Sequence, residues 1–287
     1  MSNYQVKELI TEGFKTVYCH GGETNAETLI FLHGSGPGAN ALSNWKKALN
    51  VLSSKYQVIA LDLVGFGSTE LPADLNMTFW EWTTLRVKQI LAIMDYHNID
   101  KAHLVGNSMG GVISLNAVMH SPQRFDKMIL MGSGGGKTSG PTAEIVRMTG
   151  FFNDPTIESF GNLIRWFMYD ETVLEDDIND IIRTRYENIM RPEVRELYPK
   201  LFPKNPAEML IPPSALRRMT NQTLLIHGYE DQFVPREGSL SLLEHIPNAE
   251  LILLKQCGHW VQIEKSDRFI QLVDQFIDQR NHQLALI

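Results

Sequence analysis

Cysteine is scarce in these 287 residues: only Cys19 and Cys257 occur, far apart in the chain. That excludes a disulfide framework and any zinc-finger spacing. No apolar run approaches the ~18 residues that a membrane span needs. The segment Met1–Gly13 carries acids and has no apolar core of signal-peptide length. Positive charge is short as well, since 26 Lys and Arg against 33 Asp and Glu leave a net charge of −7. A field of that sign argues against nucleic acid or an anionic membrane as partner. An anionic substrate would need a local cation to overcome it. Internal repeats are missing too. With 43% hydrophobic residues the chain has material for a large core. The expectation is a cytoplasmic α/β protein, either one large domain or a core with an inserted subdomain.

What is present is a rhythm. Tyr4–Ile10 and Lys15–Cys19 read as an opening hairpin around Thr11-Glu12-Gly13. Thr28–His33, Tyr56–Leu63, Ala102–Val105 and Lys127–Met131 are apolar runs of the kind buried on both faces of a sheet. Helical patterns lie between them: one around Trp45–Leu52, and another opened by a Thr78/Glu81 capping box and carrying Val87, Ile90, Leu91 and Met94. Such alternation predicts a doubly wound, mostly parallel sheet. It stops near Gly132. From Ser133 to Pro213 no strand is evident, while Phe160, Leu163, Ile164, Phe167 and Met168 form one helical stripe and Ile178, Ile181, Ile182 and Ile189 another. A proline-rich stretch, Pro203–Pro213, closes this helical insertion. The rhythm returns with strand Gln222–His227, helix Arg236–His245, strand Glu250–Leu254 and a last helix bearing Phe269, Leu272, Val273, Phe276 and Ile277.

One stretch carries chemistry. Gly106-Asn107-Ser108-Met109-Gly110 fits G-x-S-x-G between a strand and a helix, Gly111–His120, which is the context of a nucleophile elbow. A serine hydroxyl needs a base, and the base needs an orienting acid. His259 follows the strand Glu250–Leu254, and the adjacent acids Glu230 and Asp231 follow Gln222–His227, giving the order serine, acid, histidine. All sit after strands, at the edge where parallel sheets bind ligands. Attack on a carbonyl also needs amide donors for the oxyanion. Met109 supplies one, and Ser35, after the Thr28–His33 strand, is placed to supply the second.

Two other motifs compete. Gly34-Ser35-Gly36-Pro37-Gly38-Ala39 fits a dinucleotide fingerprint, with Asp62 further on. Pro37 removes an amide from that loop, however, and Ser108, His259 and the acids would be left without a role. Gly136-Lys137-Thr138 resembles a phosphate loop, but Met131 stands where its first glycine belongs. Neither carries the reading.

Taken together, several pieces resemble the α/β-hydrolase superfamily over essentially the whole chain, and within it the meta-cleavage product hydrolases. They are His33-Gly34-Ser35-Gly36-Pro37-Gly38-Ala39, Ser43-Asn44-Trp45, Gly106-Asn107-Ser108-Met109-Gly110-Gly111, Thr184-Arg185-Tyr186-Glu187, Gly228-Tyr229-Glu230-Asp231-Gln232-Phe233-Val234-Pro235 and Gly258-His259-Trp260. The resemblance implies an α/β-hydrolase fold with a core of residues 1–132 and 214–287 and a helical lid of residues 133–213. It implies cleavage of a carbon–carbon bond in 2-hydroxy-6-oxo-2,4-dienoates during aromatic compound degradation, without metal or organic cofactor, by a homodimer. It selects Asp231 as the acid and gives Asn44, Asn107, Arg185 and Trp260 substrate-binding roles. Ser35 is a departure, since several relatives have glycine there.

Arg185 stands out independently. It falls four residues after Ile181, three after Ile182 and four before Ile189, so it projects from an apolar stripe. It is either an arginine snorkelling from a packed face or a guanidinium aimed into a pocket to hold a carboxylate. Met148, Phe151, Phe152, Phe160, Leu163 and Trp166 are candidates for the acyl side of that pocket. A carboxylesterase with the same triad, or a hydrolase-fold ligand receptor, are the alternative readings.

Overall fold

The computed structural model describes residues 2–25, 27–174 and 177–278. Residues 279–287, which the expected core range includes, lie outside them. The chain opens with β1 (Tyr4–Thr11) and β2 (Phe14–Gly21), an antiparallel hairpin. Its turn residues Glu12 and Gly13 take φ of 49° and 85°, the positive values that match the twist of paired strands. Six strands follow: β3 (Thr28–Leu32), β4 (Gln57–Leu61), β5 (Ala102–Asn107), β6 (Phe125–Met131), β7 (Thr223–Gly228) and β8 (Ala249–Leu254). The sheet order is β1-β2-β4-β3-β5-β6-β7-β8. β2 runs antiparallel to β4, and every pairing from β4 to β8 is parallel.

The apolar strands feed two cores, because successive side chains point to opposite faces. On β3, Leu29 and Phe31 join one core and Ile30 and Leu32 the other. The first core is closed by α1 (Ala41–Leu52) and α11 (Ser266–Asp278), with Trp45 stacked on Phe269 at 5.8 Å. The second is covered by α2 (Phe79–Tyr96), α3 (Met109–His120) and α9 (Arg236–His245). α2 starts at the expected capping box: the Thr78 amide donates to Glu81 Oε2 at 2.7 Å, and the Glu81 amide to Thr78 Oγ1 at 3.3 Å. Its Val87, Ile90 and Met94 are buried, and Leu91 packs partly against them.

Between β6 and β7 the described residues form no strand. They make α4 (Ala143–Thr149), α5 (Ile157–Arg165), α6 (Asp177–Ile189), α7 (Pro192–Leu197) and α8 (Pro213–Leu216), joined by short 3-10 turns. On α6, Ile178, Ile182, Arg185 and Ile189 are buried together, as their spacing requires. The stripe expected from Phe160 to Met168 is interrupted. α5 ends at Arg165, Trp166 caps it, and Phe167 and Met168 leave the helix through amide bonds to Ile164 and Arg165, three residues back. The last short helix, α10 (Val261–Glu264), follows the loop carrying His259.

Candidate active site

β3 lies between β4 and β5, so the connections from β3 and β5 diverge and leave a crevice at their carboxyl ends. Ser108 stands there, between β5 and α3. Its φ of 55° and ψ of −115° are rare for a residue with a side chain, a strain of ~1–3 kcal/mol that the surroundings must hold. Glycine is required on both sides: a Cβ at Gly106 would meet Gly110 O at 2.5 Å, and one at Gly110 would meet Leu32 O at 2.0 Å. The tight turn therefore lifts the Ser108 side chain to the sheet edge. Met109 begins α3, so its amide is among those with no carbonyl in the preceding turn to bond.

His259 and Asp231 come from the loops after β8 and β7. His259 Nδ1 donates to Asp231 Oδ2 at 2.7 Å, which leaves Nε2 as the basic nitrogen. Asp231 Oδ1 accepts the amides of Phe233 and Val234 at 2.8 and 3.0 Å, and His227 Nε2 lies 3.3 Å from Oδ2. Burial alone would raise the Asp231 carboxyl. The charge and hydrogen bond of His259, with help from His227, outweigh it and hold the group well below the usual carboxylate range. The neighbouring Glu230 is engaged elsewhere, accepting the Cys257 amide at 3.0 Å.

Ser35, Asn44, Asn107, Ser108, Arg185, His259 and Trp260 line a single cavity. Asp231 lies behind His259, out of the lining. Asn44 and Asn107 are partly spoken for, since Asn44 Nδ2 donates to Asn40 O at 3.0 Å and Asn107 Nδ2 to Met131 O at 3.1 Å. The Ser35 carbonyl accepts the Tyr198 hydroxyl at 3.0 Å. His33 braces the same loop: Leu63 donates to its Nε2 at 3.1 Å, and its Nδ1 donates to Gly34 O at 2.7 Å. Burial, with the charges of Arg86 and Arg185, pushes this ring down to about 3.

Arg185 is 2% exposed, yet no carboxylate pairs with it among the described residues. Nη2 donates to Ser43 Oγ at 2.9 Å, the guanidinium lies 4.7 Å from the Trp260 ring centroid, and Nε and Nη1 have no partner. Burial lowers it to about 10, so it remains a cation at neutral pH. A buried cation with empty donors is costly. The cavity that it lines offers the place for a compensating anion.

Of the six residues considered for the acyl side, only Met148 lines the cavity. Phe151 and Phe160 pack on each other at 5.3 Å, and Phe152 packs against Tyr198. Ile145, Phe167 and Phe233 line the cavity as well, with Phe167 sandwiched between Phe233 (3.8 Å) and Trp260 (4.7 Å). Phe233 was within reach of sequence reasoning, two residues beyond Asp231. Phe167 was hidden because its place depends on α5 ending early.

Residues 27–189 match the family described as alpha/beta hydrolase fold, and the chain belongs to it. The chain is 34% identical over 276 residues to 2-hydroxymuconate semialdehyde hydrolase of Pseudomonas sp. strain CF600, covering 94% of this chain and 93% of that one. It superimposes on 2-hydroxy-6-oxo-6-phenylhexa-2,4-dienoate hydrolase of Rhodococcus sp. strain RHA1 with a TM-score of 0.91 at 35% identity, over 95% and 98% of the two chains. For the meta-cleavage product hydrolase of Pseudomonas fluorescens IP01 the values are 0.86 and 36%, over 96% and 98%. Within the α/β-hydrolase fold, this chain is a meta-cleavage product hydrolase.

Proposed function

We propose that this hydrolase cleaves the carbon–carbon bond next to the ketone of a 2-hydroxy-6-oxo-2,4-dienoate, with Ser108 as nucleophile, His259 as base and Asp231 as its orienting acid. His259 first moves a proton so that the dienol becomes a keto tautomer, which places an electron sink beside the bond to be broken. Ser108 Oγ then adds to the ketone carbon and its proton passes to His259 Nε2. The amides of Ser35 and Met109 stabilise the oxyanion. Collapse breaks the carbon–carbon bond, and its electron pair is delocalised into the keto-acid fragment, which is protonated and leaves. Water, deprotonated by His259, frees the acyl group as a carboxylic acid. Asn44, Asn107 and Trp260 hold the dienoate, and the helical segment between β6 and β7 acts as the lid. The same reading carries a cytoplasmic homodimer, whose assembly sedimentation velocity checks.

The observation that carries this reading is Arg185: a buried guanidinium with two empty donors in the cavity that holds Ser108. A neutral ester offers it no charge to pair with, whereas a dienoate carboxylate does. Hydrogen bonds to a charged group contribute roughly 1.5–3 kcal/mol each. Arg185→Gln is therefore expected to lower kcat/KM for a yellow dienoate by an order of magnitude or more, while hydrolysis of a small neutral ester changes little. Equal losses on both substrates would make Arg185 a packing residue and remove the support for an anionic substrate. Ester turnover exceeding dienoate turnover in the unmodified protein would favour the carboxylesterase.

A further inference from the structure

Glu264 was not a candidate in the sequence, and the chemistry above does not use it. It lies at the end of α10 and is 9% exposed. Its carboxylate joins two segments that are far apart in sequence. Oε1 accepts the Gly258 amide at 2.8 Å, one residue before His259. Oε2 accepts the amides of Tyr169 and Asp170 at 2.8 and 3.2 Å, from the irregular stretch after α5. The reverse connection is also present, because the amides of His259 and Trp260 donate to Phe167 O at 2.8 and 3.2 Å. The backbone of His259 is thus held from the helical segment, and Glu264 fixes both sides of that contact. A close approach is built in: a Cβ at Gly258 would meet Phe167 O and Tyr169 N at 2.8 Å.

We infer that Glu264 is a positioning residue, tying residues 167–170 to the loop of His259 so that the imidazole stands correctly only while that segment is seated. The inference rests on the reading of Ser108 and His259 as nucleophile and base. A carboxylate is needed because all three of its partners are N–H donors. In Glu264→Gln, the side-chain amide would turn its own N–H₂ toward one of them and break either the loop side or the segment side. Phe167 is the link to the cavity: its carbonyl holds His259, and its ring stacks on Trp260.

The test compares Glu264→Gln with the unmodified protein in three measurements: steady-state cleavage of a dienoate, thermal unfolding, and the rate at which phenylmethanesulfonyl fluoride sulfonylates Ser108 with loss of fluoride. The sulfonylation reports the serine–histidine pair without any contribution from Arg185. The expected result is a fall in kcat of at least tenfold with KM within about threefold, and a parallel fall in the sulfonylation rate. A lowered unfolding temperature with both rates within twofold of the unmodified protein would make Glu264 a structural staple and overturn the inference. Should Glu264→Gln fail to fold, amide hydrogen exchange of the unmodified protein decides. Gly258, His259, Tyr169 and Asp170 should share one opening free energy, and much faster exchange at Tyr169 and Asp170 than at the other two would overturn the coupling. Failure of the underlying reading shows separately, as dienoate turnover persisting in Ser108→Ala.

Discussion

At the scale of single residues, two adjacent acids that composition leaves equivalent take different partners in the fold. Asp231 faces His259 Nδ1 at 2.7 Å, whereas Glu230 accepts the amide of Cys257. Asp231→Asn is expected to lose about 10³–10⁴-fold in kcat, because an amide at that place favours the wrong imidazole tautomer. Glu230→Gln keeps a carbonyl oxygen for Cys257 and should cost no more than a few-fold. Steady-state rates of the two variants check the ranking, and the opposite order would move the acid to Glu230. Much of this site was legible beforehand. The serine, the acids and the histidine follow strands in a fixed order, and a G-x-S-x-G turn has a steric reason for both glycines. Glu264 was not legible, because a carboxylate that binds backbone amides across a gap of about ninety residues (94 and 95 positions from Asp170 and Tyr169) leaves no local pattern.

At the scale of elements, periodicity served well wherever a helix had a written start or stop. Thr78 and Glu81 mark the start of α2, and the hairpin turn is marked by Gly13. α5 has a written start at Thr156, but neither glycine nor proline follows Arg165 to end it. An apolar stripe continues smoothly through Phe167 and Met168, so sequence alone extends the helix too far. The tertiary bonds of Phe167 O to His259 and Trp260 decide the matter. A different seam tests the packing of the sheet. Phe269 on α11 is fully buried and stacks on Trp45 of α1. Phe269→Ala should lower stability by about 3–5 kcal/mol, read from urea unfolding. The activity per folded molecule should be unchanged, since neither ring lines the cavity.

At the scale of the whole molecule, acidity acts through buried histidines. His33 is held neutral down to about 3 against an ordinary value of 6.5, and His20, mainly through burial, down to about 4. Below pH 6.5 the unfolded chain binds protons at these positions and the folded one does not. Stability therefore falls with falling pH, by at most about 1.4 kcal/mol per pH unit for each such ring. His33→Gln retains a donor and an acceptor for Gly34 and Leu63 but has nothing to titrate. The stability advantage of the unmodified protein over this variant is expected to shrink between pH 7 and pH 5, measured by urea midpoints at both values. An advantage that grows on acidification would mean that His33 is charged in the fold.

The loop that carries His259 follows β8, the last strand among the described residues, and this order bears on how the molecule is made. Ser108 and its strained turn are translated before β7 and β8, with β3, β4, β5 and β6 able to pair around them. The imidazole arrives only after β7 and β8 have been synthesised and docked, and α11 must then close one core from outside. Contacts across such separations form slowly and late. A nascent chain translated only as far as β7 therefore presents Ser108 without His259, and the two stand together only once β8 has joined the sheet.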